Sequence, residues 1–126
     1  MNFQMPKWRH LVSEKIMPLI KSVRGFTPQI PNDCYLADNA TVVGEVSMGN
    51  HCSIWFNAVV RGDVNYIKMG NKVNIQDNAV IHGTFETSPT TIGNNVSIGH
   101  SAIVHGCTIH DNVLIGILLY NRTDIK

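Results

Sequence analysis

From Ile30 onward an aliphatic side chain returns at every sixth position: Ile30, Leu36, Val42, Met48, Ile54 and Val60. The series skips three extra residues to Met69, runs on through Ile75 and Ile81, and resumes after the polar stretch TFETSPTT at Ile92, Ile98 and Val104. One step then falls a residue short, reaching Ile109 before Ile115. With each aliphatic residue as the first slot, the fifth slot reads Cys34, Ala40, Val46, Cys52, Ala58, Val64, Val73, Ala79, Phe85, Val96, Ala102, Thr108 and Val113. All but Phe85 are small or β-branched. Gly49, Gly70, Gly93 and Gly116 take second slots, and Asn and Asp crowd the third and fourth, as turn chemistry requires. A period of six with one large and one small inward residue is too short for a helix pair or a hairpin. It predicts a short strand plus a corner, with three such sides making one triangular coil of about 18 residues, and coils stacked at the ~4.8 Å spacing of neighbouring strands. The expected fold is all-β, a parallel β-helix built from hexapeptide repeats.

Every third hexad returns to the same side of such a prism, so residues far apart in sequence share a column. His82 and His105 directly follow Ile81 and Val104 and stack on successive coils of one side, with Arg61, after Val60, in the same column below them. His100 lies two places after Ile98 on the adjoining side, in the column of Asp77. Two imidazoles one coil apart can both reach a metal ion at about 2.0–2.1 Å. A neighbouring copy could add His100 if three prisms pack about a threefold axis. Outward slots are polar in any case, so three ordinary surface histidines remain the alternative. His10, His51 and His110 have no columnar partner and read as surface residues. Cys34 and Cys52 fill small inward slots, where packing is their expected role, whereas Cys107 is expected to point outward beside His105.

Composition narrows the function classes. Ten Lys and Arg against nine Asp and Glu leave a net charge of +1, with no basic run, which argues against a nucleic-acid partner. No apolar run approaches the roughly 20 residues that span a bilayer, so no membrane segment is expected. Three cysteines without metal-finger spacing argue against a disulfide framework, and a reducing cytoplasm is the expected compartment. The segment MNFQMPKWRHLVSEKIMPLIKSVRG is basic, as transit peptides are, yet poor in serine and interrupted by Pro18. Trp8, Leu11, Val12 and Ile16 have helical spacing and predict a short amphipathic helix ending before Pro18.

The stretches WFNAVVRGDVNYIKMGNKVNIQDNAVIHG and IGNNVSIGHSAIVHG resemble the γ-class carbonic anhydrase-like proteins, and the likeness runs from about Met17 to Gly116. Its motifs here are RGDV, NIQDN, IHG, IGH and VHG. The resemblance implies a left-handed coil and a homotrimer. It implies metal ligands at His82, His100 and His105, two from one subunit and one from its neighbour. It also implies an interfacial Arg61 and Asp77, Gln76 beside the reacting water, and Asp63 at the aspartate after the arginine-glycine pair. The cofactor so implied is Zn2+, with Fe2+ or Co2+ also suited to three imidazoles, and the reaction is reversible hydration of carbon dioxide to bicarbonate.

The chain departs from that family in two places. Val64 stands where prototype enzymes carry a glutamate, and after His82 only Glu86 is available as a carboxylate to move protons. The tail ILLYNRTDIK abandons the hexads after Gly116, where relatives add coils and a final helix, the part in which the family's tyrosine and asparagine near the site lie. The expected organisation is an N-terminal extension over 1–16, the repeat domain over 17–116 and a truncated or divergent tail over 117–126. Two other functions fit a hexapeptide repeat: an acyltransferase using one histidine as general base, and a non-catalytic trimeric metal-binding scaffold.

Overall fold

A computed structural model describes residues 16–118 and the backbone of 120 and 121. Short strands follow one another with no helix among the described residues. They are β1 (Leu19–Lys21), β2 (Tyr35–Leu36), β3 (Thr41–Ser47), β4 (Ser53–Ile54), β5 (Val59–Met69), β6 (Asn74–Ile75) and β7 (Val80–His82). Then come β8 (Thr90–Ile92), β9 (Ser97–Ile98), β10 (Ile103–His105), β11 (Thr108–Ile109), β12 (Leu114–Ile115) and β13 (Tyr120–Asn121). The helix expected over Trp8 to Ile16 falls outside the described residues except for Ile16, which is not helical. Among the described residues no helix is long and apolar enough to cross a membrane.

Pairing between strands is parallel and in register from coil to coil. One side stacks β2, β4, β6, β9 and β12 in that order, bringing Leu36, Ile54, Ile75, Ile98 and Ile115 into one inward column. A second side stacks β1, the first half of β3, the first half of β5, β7, β10 and β13. The third side stacks the ends of β3 and β5 with β8 and β11. This three-sided coil is a left-handed parallel β-helix. Aliphatic residues and alanines from every side meet on its axis, and Thr90 is the one buried polar residue among those described.

Corners explain the asparagines. His51, Asn57, Lys72, Asn78, Asn95, Ser101 and Asn112 all have φ between 56° and 64°, a left-handed conformation that Asn adopts more readily than most residues. Their side chains link the coils: Asn39 donates to Asn57 at 2.6 Å and Asn95 to Asn112 at 2.8 Å. His51 is thus a corner residue, its imidazole 3.3 Å from Asp33.

The inward slots differ from the simple count wherever the period breaks. Ile67, not Val64, packs inward before Met69, because the three extra residues enter earlier, between Gly62 and Ile67. Phe85 is exposed in the loop after β7, and the buried Thr90 takes the inward position before Ile92. Cys107 is buried, contrary to the outward placement expected of it. The missing residue is absorbed at the corner around Gly106, whose φ is +56°, so the phase resets and Cys107, rather than Thr108, precedes Ile109 inward.

Candidate metal centre

The register places Arg61 opposite His82, and His82 opposite His105, on the adjacent strands β5, β7 and β10. The column expected from the hexads is therefore present in the backbone. The two imidazoles face each other with ring centroids 5.0 Å apart and planes tilted by 56°. His82 is mostly shielded, its side chain 17% exposed, because the loop after β7 folds back beside it.

Asp63 holds His82 in place. Its Oδ1 lies 2.9 Å from His82 Nε2, and its Oδ2 accepts a 2.9 Å hydrogen bond from the Arg61 guanidinium. A carboxylate only accepts, so Nε2 carries the proton of this hydrogen bond and Nδ1 is the ring nitrogen left to face a cation. Partial burial raises the Asp63 carboxyl pKa, but the His82 hydrogen bond and the Arg61 charge outweigh it, and the net shift is downward. On the other histidine, Thr84 Oγ1 is 3.4 Å from His105 Nδ1.

Both residues that brace the histidines come from breaks in the repeat. Asp63 sits in the bulge where β3 and β5 lose register between Gly44 and Val46. Gly44 makes that bulge possible: its φ is +78°, and a Cβ there would collide with the Gly62 carbonyl. Thr84 sits in the excursion that closes through Thr84 N to Ser88 O at 2.7 Å. Asn65, also in the bulge, donates to the Thr84 carbonyl at 3.1 Å and ties the two breaks together.

His100 is elsewhere. Its Nδ1 lies 3.3 Å from Asp77 Oδ1, both half-exposed, in a shallow depression that Gln76, Asn74 and Trp55 also line. Asn74 Oδ1 accepts from Trp55 Nε1 at 2.7 Å and from Ser53 Oγ at 2.9 Å, so the amide is pinned. Within one chain, among the described residues, no group of three or more His, Cys, Asp or Glu is arranged to hold a metal ion. The chain thus brings His82 and His105 together with Arg61 and Asp63, and separately groups His100 with Asp77 and Gln76. Arg61 pairs with Asp63, and no Arg61–Asp77 contact forms within the chain.

Trp55, Asn74 and Thr84 escaped the sequence reading. The sixth-slot column of Ser53, Asn74 and Ser97 carried a signal for Asn74, whereas Thr84 lies outside the period altogether.

A three-sided parallel coil carrying a braced histidine pair defines a hexapeptide-repeat β-helix protein with a candidate metal edge. The chain belongs to the γ-class carbonic anhydrase-like family of these proteins. It is 50% identical over 88 residues to a probable carbonic anhydrase of Methanocaldococcus jannaschii, an alignment that covers 70% of this chain and 55% of that one. It is 43% identical over 96 residues to gamma carbonic anhydrase 2, mitochondrial, of Arabidopsis thaliana, covering 72% of this chain and 34% of the relative. The chain spans about half the length, or less, of the curated relatives it matches. Among solved structures it is similar to a hexapeptide transferase family protein from Anaplasma phagocytophilum (TM-score 0.72, 40% identity, 76% of this chain and 55% of that one). It is also similar to a putative acetyltransferase of Bacillus cereus (TM-score 0.74, 37% identity, 79% of this chain and 58% of that one). No protein-family model matches the chain.

Proposed function

We propose that the protein is one subunit of a cytoplasmic homotrimer that interconverts carbon dioxide and bicarbonate at a zinc site shared between chains. The observation that carries this reading is the split donor set: His82 and His105 are paired on adjacent strands, while His100 sits beside Asp77 on another face. Two facing imidazoles, one of them oriented by a carboxylate, fit a borderline cation, but a tetrahedral site with an open position needs a third nitrogen. His100 of a neighbouring copy supplies it. Fe2+ and Co2+ suit the same donors. The bound ion would contribute Lewis acidity, making a water deprotonable near neutral pH.

The rest of the chemistry falls to side chains. Asp63 keeps His82 oriented, and Arg61 anchors Asp63 from the solvent side. Gln76, next to Asp77 and one coil below the strand preceding His100, brings an amide that can hydrogen-bond the attacking oxygen and align it with carbon dioxide. Across the subunit boundary Arg61 and Asp77 are the opposite charges that would set the register of the two chains. In the loop after β7 Glu86 is the only carboxylate and it is exposed, so with Asp63 and Asp77 engaged by His82 and His100, Glu86 is left as the proton relay and proton export is expected to limit turnover. The repeat domain over 17–116 contains every residue named in this scheme, and three cysteines, an odd number without metal-finger spacing, suit a reducing compartment.

The test is complementation. Chains with His100→Ala are mixed with His82→Ala/His105→Ala chains, and metal content and mass are read together by native mass spectrometry. Mixed trimers should regain metal at interfaces where an intact pair meets an intact His100. Verified mixed trimers without metal would refute the shared site. The likeness to a hexapeptide transferase family protein and a putative acetyltransferase favours a second reading, acyl transfer with a single histidine as base. A metal-free protein that turns over an acyl thioester and loses that activity with one histidine would establish it instead.

A further inference from the structure

Cys34 and Cys52 lie in the same inward column on successive coils. The residues beside them, Tyr35 and Ser53, are register partners, and Tyr35 N donates to the Cys52 carbonyl at 2.9 Å. Both thiols adopt the same direction, Cys34 Sγ toward the Gly49 carbonyl and Cys52 Sγ toward the Gly70 carbonyl, each at 3.2 Å. Strands so paired are about 4.8 Å apart, inside the ~4.4–6.8 Å range of Cα separations that a disulfide spans. Cys52 is buried, whereas Cys34 is only partly so, its Sγ 3.8 Å from the exposed Asp33 carboxylate.

We propose that Cys34 and Cys52 form a reversible disulfide site, closed between successive coils by a low-molecular-weight disulfide such as oxidised glutathione. The more accessible Cys34 thiolate attacks one sulfur of the small disulfide and expels a thiolate, which takes up a proton. Cys52 then gives up its proton and attacks the Cys34 sulfur, and the second small thiolate leaves. One protein S–S bond forms as the small one is broken, and the two electrons pass to the small molecule, which departs as two thiols. Burial first, and then the neighbouring Cys34, holds the Cys52 thiol above its usual pKa, so resolution is the slower step.

Geometry also makes the bond reversible. Parallel in-register strands hold their Cβ atoms near 4.8 Å, beyond the ~3.5–4.5 Å that a relaxed disulfide prefers, so one strand must shift inward. Among the described residues β2 is the edge strand of its sheet, paired on one side only, and it is the strand able to move. A bond that depends on this shift retains strain and yields readily to thiols. Cys107 belongs to another side of the coil, ahead of Ile109, and takes no part.

The full chain is incubated folded with oxidised glutathione, then denatured, alkylated and mapped by mass spectrometry. Alkylatable thiols should fall from three to one, with a Cys34–Cys52 linked peptide and an alkylated Cys107, and dithiothreitol should restore all three. Cys52→Ser should stop at Cys34 carrying one glutathione, and Cys52→Ala, which keeps the core apolar, should stop at the same point. Glutathione that stays on wild-type Cys34 without a linked peptide would overturn the proposal. So would a link through Cys107, or a folded protein that leaves all three thiols alkylatable.

Discussion

Replacing Asp63 by alanine removes the group that grips His82 Nε2 at 2.9 Å and Arg61 at 2.9 Å. Neither histidine is touched, so any effect on metal must travel through the orientation and basicity of His82. A hydrogen bond to a charged group is worth roughly 1.5–3 kcal/mol. At about 1.4 kcal/mol per tenfold that becomes roughly 10–150-fold, matching the ~10–100-fold typical of lost partners behind a metal ligand. Because Asp63 is only 22% exposed, solvent screening takes little from this figure. The Arg61 side chain is 48% exposed, so its bond to Asp63 is screened and worth under about 1 kcal/mol. Arg61→Ala should accordingly weaken metal binding only a few-fold. Affinity is measured by competition with a chromophoric chelator, and trimer mass and thermal midpoint are measured on the same samples. An Asp63→Ala protein that keeps the wild-type fold and mass and binds zinc as tightly would show that Asp63 does not act through His82.

Asp63 also sets an expectation for acid. Its folded-state pKa lies below the ordinary 3.8, so its contribution to stability is fully present above that value and is lost as pH falls through the depressed one; Asp63→Asn should flatten the acid limb of the metal-free protein's denaturation curve, and an unchanged limb would contradict the assignment. Ile81 is fully buried in the column between Val60 and Val104, and Ile81→Ala should cost about 2–5 kcal/mol in denaturant unfolding. Gly44→Ala should destabilise by roughly 1–3 kcal/mol through its positive φ and the collision with the Gly62 carbonyl, and should also weaken metal binding by displacing the bulge that carries Asp63. A variant that loses stability with metal affinity intact would show the bulge to be irrelevant to the histidines.

The coil was legible because its inward residues answer to one period. Leu36, Ile54, Ile75, Ile98 and Ile115 had to align if each side took six residues, and the strand register aligns them. The same arithmetic put His82 over Arg61 and under His105. What escaped lies where the period breaks. An insertion has a length in the sequence but no direction, so the skip before Met69 did not say that Ile67 would replace Val64 inside. Nor did it say that Asp63 would be turned onto His82 instead of out to solvent. Cys107 was misplaced for the same reason: a deleted residue shifts the phase at once, and only the corner at Gly106 decides where the shift is absorbed.

The even step between coils acts as a ruler, and a ruler limits what can be built along it. Consecutive rungs sit about 4.8 Å apart, close enough for two side chains to converge on one ion; a third rung lies about 9.6 Å from the first and its side chain points parallel, not inward to a common centre. Arg61, His82 and His105 are three such rungs. Substituting histidine for Arg61 would therefore lengthen the row without closing a tetrahedron. A straight ladder offers donors in pairs, and a third has to come from outside the row, as Asp63 does when the bulge turns it onto His82.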